Sequence, residues 1–107
     1  MIVTTTDGVE GKRVVEYVGI VTGEAIMGTN VFRDMFAGIR DFVGGRSGSC
    51  EKEVKKAKDH AIDQMMEEAE ELGADAIVGV DLDYEVIGGD KRTLLMAIAN
   101  GTAVKLG

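Results

Sequence analysis

Proline and tryptophan are absent from this 107-residue sequence, and cysteine and histidine occur once each. A lone cysteine, Cys50, cannot form an internal disulfide, which suits a reducing compartment. One Cys and one His also fall short of the four Cys or His ligands that a structural zinc site wants at short spacings. Aromatics are few, three Phe and two Tyr, so the core must rest on Val, Ile, Leu, Met and Ala. Without proline, backbone freedom at turns falls to the 15 glycines. No apolar run approaches the roughly 20 residues of a transmembrane helix. The opening MIVTTTDGVEGKR lacks the basic-then-apolar pattern of a secretory leader. The expected location is the cytoplasm.

Positive charge is scarce as well. Twelve Lys and Arg stand against 19 Asp and Glu, a net charge of −7. Affinity for nucleic acid needs clustered cations at the phosphates, and anionic membranes make the same demand, so neither is an expected partner.

What is present fits one α+β domain spanning residues 1–107. Met1 to Thr5 reads as a short strand, and Asp7-Gly8 turns the chain. Arg13 to Met27 is rich in β-branched residues and predicts one long strand or a pair, with bulges or bends at Gly19 and Gly23. From Val31 the period changes: Phe32, Met35, Phe36, Ile39, Phe42 and Val43 share one helical face, with Asn30 as cap and Gly44-Gly45 as stop. A longer helix is expected from about Ser49 to Leu72, ended by Gly73, with Val54, Ala57, Ala61, Met65, Ala69 and Leu72 as its buried stripe. Ala76 to Ile87 alternates, with Ala76, Val78, Val80, Leu82, Tyr84 and Val86 on one face and Asp81, Asp83 and Glu85 on the other. Gly88-Gly89-Asp90 then turns into a final strand, Thr93 to Leu106. That strand is apolar on both faces around Leu94 to Ala99, so it needs a second covering layer, which a partner subunit would supply.

Three segments carry a resemblance: Gly44-Gly45-Arg46-Ser47 followed by Glu51, Gly73 to Val80, and Gly101-Thr102-Ala103-Val104. With Gly23-Glu24-Ala25-Ile26, they resemble the YbjQ family, small bacterial and archaeal proteins described as heavy-metal-binding domains. The resemblance implies a dodecin-like α+β fold in ββααββ order, an antiparallel sheet packed on helices, and a homo-oligomeric ring, a pentamer. It implies no particular activity. The family pattern carries Tyr where this chain has Cys50, which argues against thiol chemistry as a shared function.

Several residues could carry chemistry. Gly44, Gly45, Arg46 and Ser47 precede a helix N-terminus, where free N–H groups favour an anion and Arg46 could clasp phosphate or carboxylate. The plainer reading is a tight turn with a serine cap. Asp81 and Asp83, with Glu85, are the best hard-cation candidates, yet alternate strand residues lie roughly 6.5–7 Å apart, loose for one small ion. Alternation alone favours a solvated strand face. For a soft metal the candidate is Cys50, which His60 cannot join: ten residues along one helix separate them by about 15 Å. Only copies of Cys50 gathered around a symmetry axis would serve. Met65 and Met66 belong to the apolar stripe. His60 has no neighbouring nucleophile in the sequence and reads as solvated. The long helix places Lys52, Lys55, Lys56 and Lys58 before Glu67, Glu68, Glu70 and Glu71, against the preference of the helix dipole. Either one half meets the opposite half of a neighbouring subunit, or the two halves are solvated patches. The expected function is thus a non-enzymatic oligomeric protein holding a divalent or soft metal ion, or a small anion, at or between subunits. The alternative is a ring that docks another protein and holds no ligand.

Overall fold

The computed structural model describes residues 1–27, 48–88 and 93–107, with the side chains of 48–51 and 93 left out of the description. The elements are β1 (Ile2–Val3), β2 (Val14–Met27), α1 (Gly48–Glu71), β3 (Ala76–Gly88) and β4 (Thr93–Leu106). They build a four-stranded sheet in the order β1-β3-β4-β2, with α1 across one face. Among the described residues the order is therefore β-β-α-β-β rather than ββααββ. The first expected helix, residues 31–43, lies outside them. Nor is the sheet purely antiparallel. β4 runs antiparallel to both neighbours, but β1 pairs parallel with β3, Ile2 opposite Ala76 and Val3 opposite Ile77.

The long helix forms where its period predicts. Gly73, at φ +76°, stops it: the Gly73 N–H donates to the Glu70 carbonyl and the Ala74 N–H to the Ala69 carbonyl. That pair of bonds is the Schellman arrangement, which satisfies two orphan carbonyls and suits a residue without a Cβ. Ala57, Ala61, Met65 and Ala69 are buried against Val21 and Met27 of β2 and Leu95, Ala97, Ala99 and Ala103 of β4. Val54 is only half-buried, and Leu72 is exposed at the end of the stripe.

Small residues on both sides let the layers approach closely. The closest approach is at Gly23, expected from sequence to bend the strand. It instead sits in regular register opposite Ala99. A Cβ there would overlap the Ala61 carbonyl oxygen and lie 2.7 Å from the Met65 nitrogen. Its role is to admit the helix backbone.

The expected alternation of β3 breaks at Gly79. Its φ is +61°, and the pairing with β4 skips between Val78 and Asp81. Ala76 and Val78 consequently join Val104 in a second cluster on the other face, with Val9, Val14 and Leu106 against it. Ile77 and Val80 join the main core. The N–H groups freed by this bulge are met by the N-terminal segment: Gly79 donates to the Thr6 carbonyl at 2.8 Å and Val80 to that of Thr4 at 3.1 Å. The bulge thus carries the apolar side of β3 from one layer to the other.

Candidate functional site

The face of the sheet away from α1 holds the acidic row. Gly23 and Ala25 pair with Ala99 and Ala97 on the helix side, so the alternate residues point the other way. There Asp81, Asp83 and Glu85 of β3 stand opposite Asn100, Ile98 and Met96 of β4. Thr22, Glu24 and Ile26 of β2 flank those on the far side. The outcome is a strip of carboxylates beside a strip of apolar side chains. Ile26 is exposed, and Met96 and Ile98 are half-buried.

Asp81 and Asp83 are alternate residues of β3 on one face. Asp81 favours the protonated form of Asp83, as a hydrogen-bonding neighbour and as a like charge, and partial desolvation and the Glu85 charge act in the same direction. All four raise the Asp83 pKa above the ordinary carboxylate value of 3.8. A row of like charges favours a proton on Asp83.

The raised value fixes the sign of a pH effect. Between pH 3.8 and the raised folded value, the folded chain holds a proton that the unfolded chain releases. The contribution of Asp83 to stability is present below that window and is lost as pH rises through it. Asp83→Asn is expected to raise the unfolding temperature at neutral pH and to leave it nearly unchanged at pH 3. Thermal unfolding at the two pH values checks this, and an equal shift at both would dismiss the like-charge explanation.

A second feature lies where α1 crosses β2, the strand at the sheet's edge. An open groove of about 890 Å3 there is lined by Glu24, Glu53, Lys56, His60, Glu67 and Glu71, among others. At its floor the Thr22 N–H donates to Glu68 Oε2 at 3.2 Å and the Glu24 N–H to Gln64 Oε1 at 2.6 Å. Sequence reasoning placed Glu68 in a solvated or intersubunit acidic patch and gave Gln64 no part. Their spacing, one helical turn apart beside Ala61 and Met65, was the available signal. On the basic half, Lys56 lies 3.7 Å from Glu53 and Lys58 3.7 Å from Asp59, all exposed or partly exposed neighbours within the helix.

Of the other candidates, Gly44, Gly45, Arg46 and Ser47 lie outside the described residues. Cys50 falls in the first turn of α1, with its side chain outside the description. His60 is exposed on the same unbroken helix, so the two stay far apart along it. Among the described residues no three His, Cys, Asp or Glu side chains are grouped to hold a metal ion. Asp81 and Asp83 share one face of β3, and two carboxylates are two ligands short of a four-coordinate site.

Two of the segments that carried the resemblance, Gly73 to Val80 and Gly101 to Val104, serve the fold. The Asp75 N–H donates to the Val104 carbonyl and the Asp75 carboxylate accepts the Leu106 N–H, both at 2.8 Å. Gly101 lets Ile77 pack against β4, for a Cβ there would come 2.7 Å from Ile77 Cγ2. The YbjQ family model, described as "Putative heavy-metal-binding", matches residues 1–107. The chain belongs to the YbjQ family. A similar fold occurs in the crystal structure of a protein of unknown function from Pediococcus pentosaceus ATCC 25745, assigned to the DUF74 family. Its TM-score is 0.67 at 18% identity, covering 100% of this chain and 98% of that one. At that identity the likeness concerns the fold alone. For this YbjQ member, no helix among the described residues is long and apolar enough to cross a membrane.

Proposed function

We propose that this protein is a homo-oligomeric metal-binding protein, not an enzyme, in which Asp81 and Asp83 supply two ligands and a second copy supplies the rest. The observation that carries this reading is the row of Asp81, Asp83 and Glu85 on one face of β3, beside the half-buried Met96 and Ile98 of β4. The family description supports a metal as the ligand. Carboxylate oxygens suit Zn²⁺ or a harder divalent ion better than a soft monovalent one. Two ligands do not complete a site, and the apolar strip beside them gives a second copy something to bury. A ring of the family's expected kind, a pentamer, would bring such pairs together. Metal binding would displace the proton favoured on Asp83, so affinity falls as pH drops.

Native mass spectrometry of the full chain, with added Zn²⁺ and then EDTA, tests the reading. The expected result is an assembly carrying bound metal that EDTA removes, with loading weakened at least about tenfold in Asp81→Asn/Asp83→Asn. Undiminished loading in that variant would reject the site. The second reading is a ring that docks another protein. It is favoured by the exposure of Ile20 and Ile26 on the same face, and an assembly indifferent to metal would support it.

A further inference from the structure

Among the described residues β2 is an edge strand of the sheet, and α1 obstructs that edge at its middle. Thr22 and Glu24 turn their N–H groups away from β4 and donate them to Glu68 and Gln64. Gly23, between them, allows the helix backbone to come down over the strand. Pairing with β4 is uninterrupted from Gly19 to Met27, so Ile20 shares the parity of Thr22 and also presents its N–H to the edge. The neighbouring side chains are adhesive: Val15, Tyr17 and Ile20 are exposed at 58%, 76% and 80%. An edge with β-branched and aromatic residues and free donors is a template for another strand.

We propose that Gln64 and Glu68 are an edge guard, whose side-chain oxygens occupy the middle of the β2 edge and keep it from pairing with a strand of another copy of this chain. The spacing supports the assignment. Residues one helical turn apart meet N–H groups two strand residues apart, so one face of one helix reaches two consecutive outward donors. Side-chain oxygens accept these bonds without offering a donor and acceptor row of their own, which ends the ladder instead of extending it. The arrangement does not depend on the metal site, which lies on the other face of the sheet.

The test is Gln64→Ala/Glu68→Ala in the full chain, followed by amide hydrogen exchange and by light scattering after size exclusion. Exchange at Thr22 and Glu24 is expected to accelerate about tenfold or more, with species larger than the parent assembly growing in as concentration rises. Glu68→Gln keeps an oxygen acceptor and is expected to behave as the parent. Faster exchange with an unchanged mass distribution would overturn the proposal, leaving the two contacts as simple helix anchors. So would a Glu68→Gln protein that assembles like Glu68→Ala, because charge and not edge capping would then be the cause. Each single alanine variant alters one exposed side chain and carries the same readouts if the double variant does not fold.

Discussion

Gly23→Ala is expected to lose about 3 kcal/mol of stability or more, the upper end of what overpacking costs. The added methyl would meet backbone, the Ala61 carbonyl and the Met65 nitrogen, and not the far end of a flexible side chain. Backbone in the middle of a 24-residue helix cannot yield locally, so the whole of α1 must lift from β2. Lifting would also stretch the two contacts from Gln64 and Glu68 and loosen the buried row from Ala57 to Ala69. For a domain of this size the loss corresponds to roughly 10–20 °C in unfolding temperature. Thermal and urea unfolding measure it directly. A Gly23→Ala protein that unfolds within a few degrees of the parent would mean that the helix rides on the sheet more loosely than the structure indicates.

Met65→Ala is expected to lose about 2–5 kcal/mol, by a different route. Met65 is the largest fully buried side chain among the described residues, and much of its surroundings is alanine: Ala57, Ala61 and Ala69 along the helix, Ala97 and Ala99 on β4. Alanines have no rotamers with which to fill a void, and Gly23 already holds the two layers at contact distance. The cavity would therefore persist, which puts the expected cost in the upper part of the range. Met65→Leu, close in volume, is expected to lose less than about 1.5 kcal/mol. Equal effects from alanine and leucine in urea unfolding would show that shape, not volume, governs this position. Met66, half-buried one residue on, provides an internal comparison with a smaller expected loss.

The parts of this fold that can be read from sequence are those governed by local period. The apolar recurrence from Ala57 to Ala69 places the helix and its buried face, and Gly73 marks its end, because both depend on residues within a few turns. The break at Gly79 is not legible that way. Ile77 and Val78 are both apolar, so the letters fit one uninterrupted alternation as well as a change of face. What selects the bulge is the supply of carbonyls from Thr4 and Thr6, more than 70 positions earlier in the sequence. The parallel pairing of β1 has the same character, since two residues carry no periodicity. At the candidate site, the shared face of Asp81, Asp83 and Glu85 was legible, because strand alternation is local. Their neighbours across the sheet, Asn100, Ile98 and Met96, were not, since pairing register is set between distant segments. Gln64 was overlooked, and Glu68 was read as part of an acidic patch, because a polar helix face looks the same from sequence whether it meets water or a neighbouring backbone.

The central position of β4 has a consequence for how the protein is made. Among the described residues β2 pairs with no strand except β4, and β3 and β1 join β2 through it. On the ribosome, about 66 residues must be added after Met27 before the first residue of its partner strand exists. At typical elongation rates that is roughly 3–13 s, during which a β-branched stretch of 14 residues is without its sheet. The nascent chain is thus most vulnerable in its first third, and synthesis of the last strand closes both halves at once.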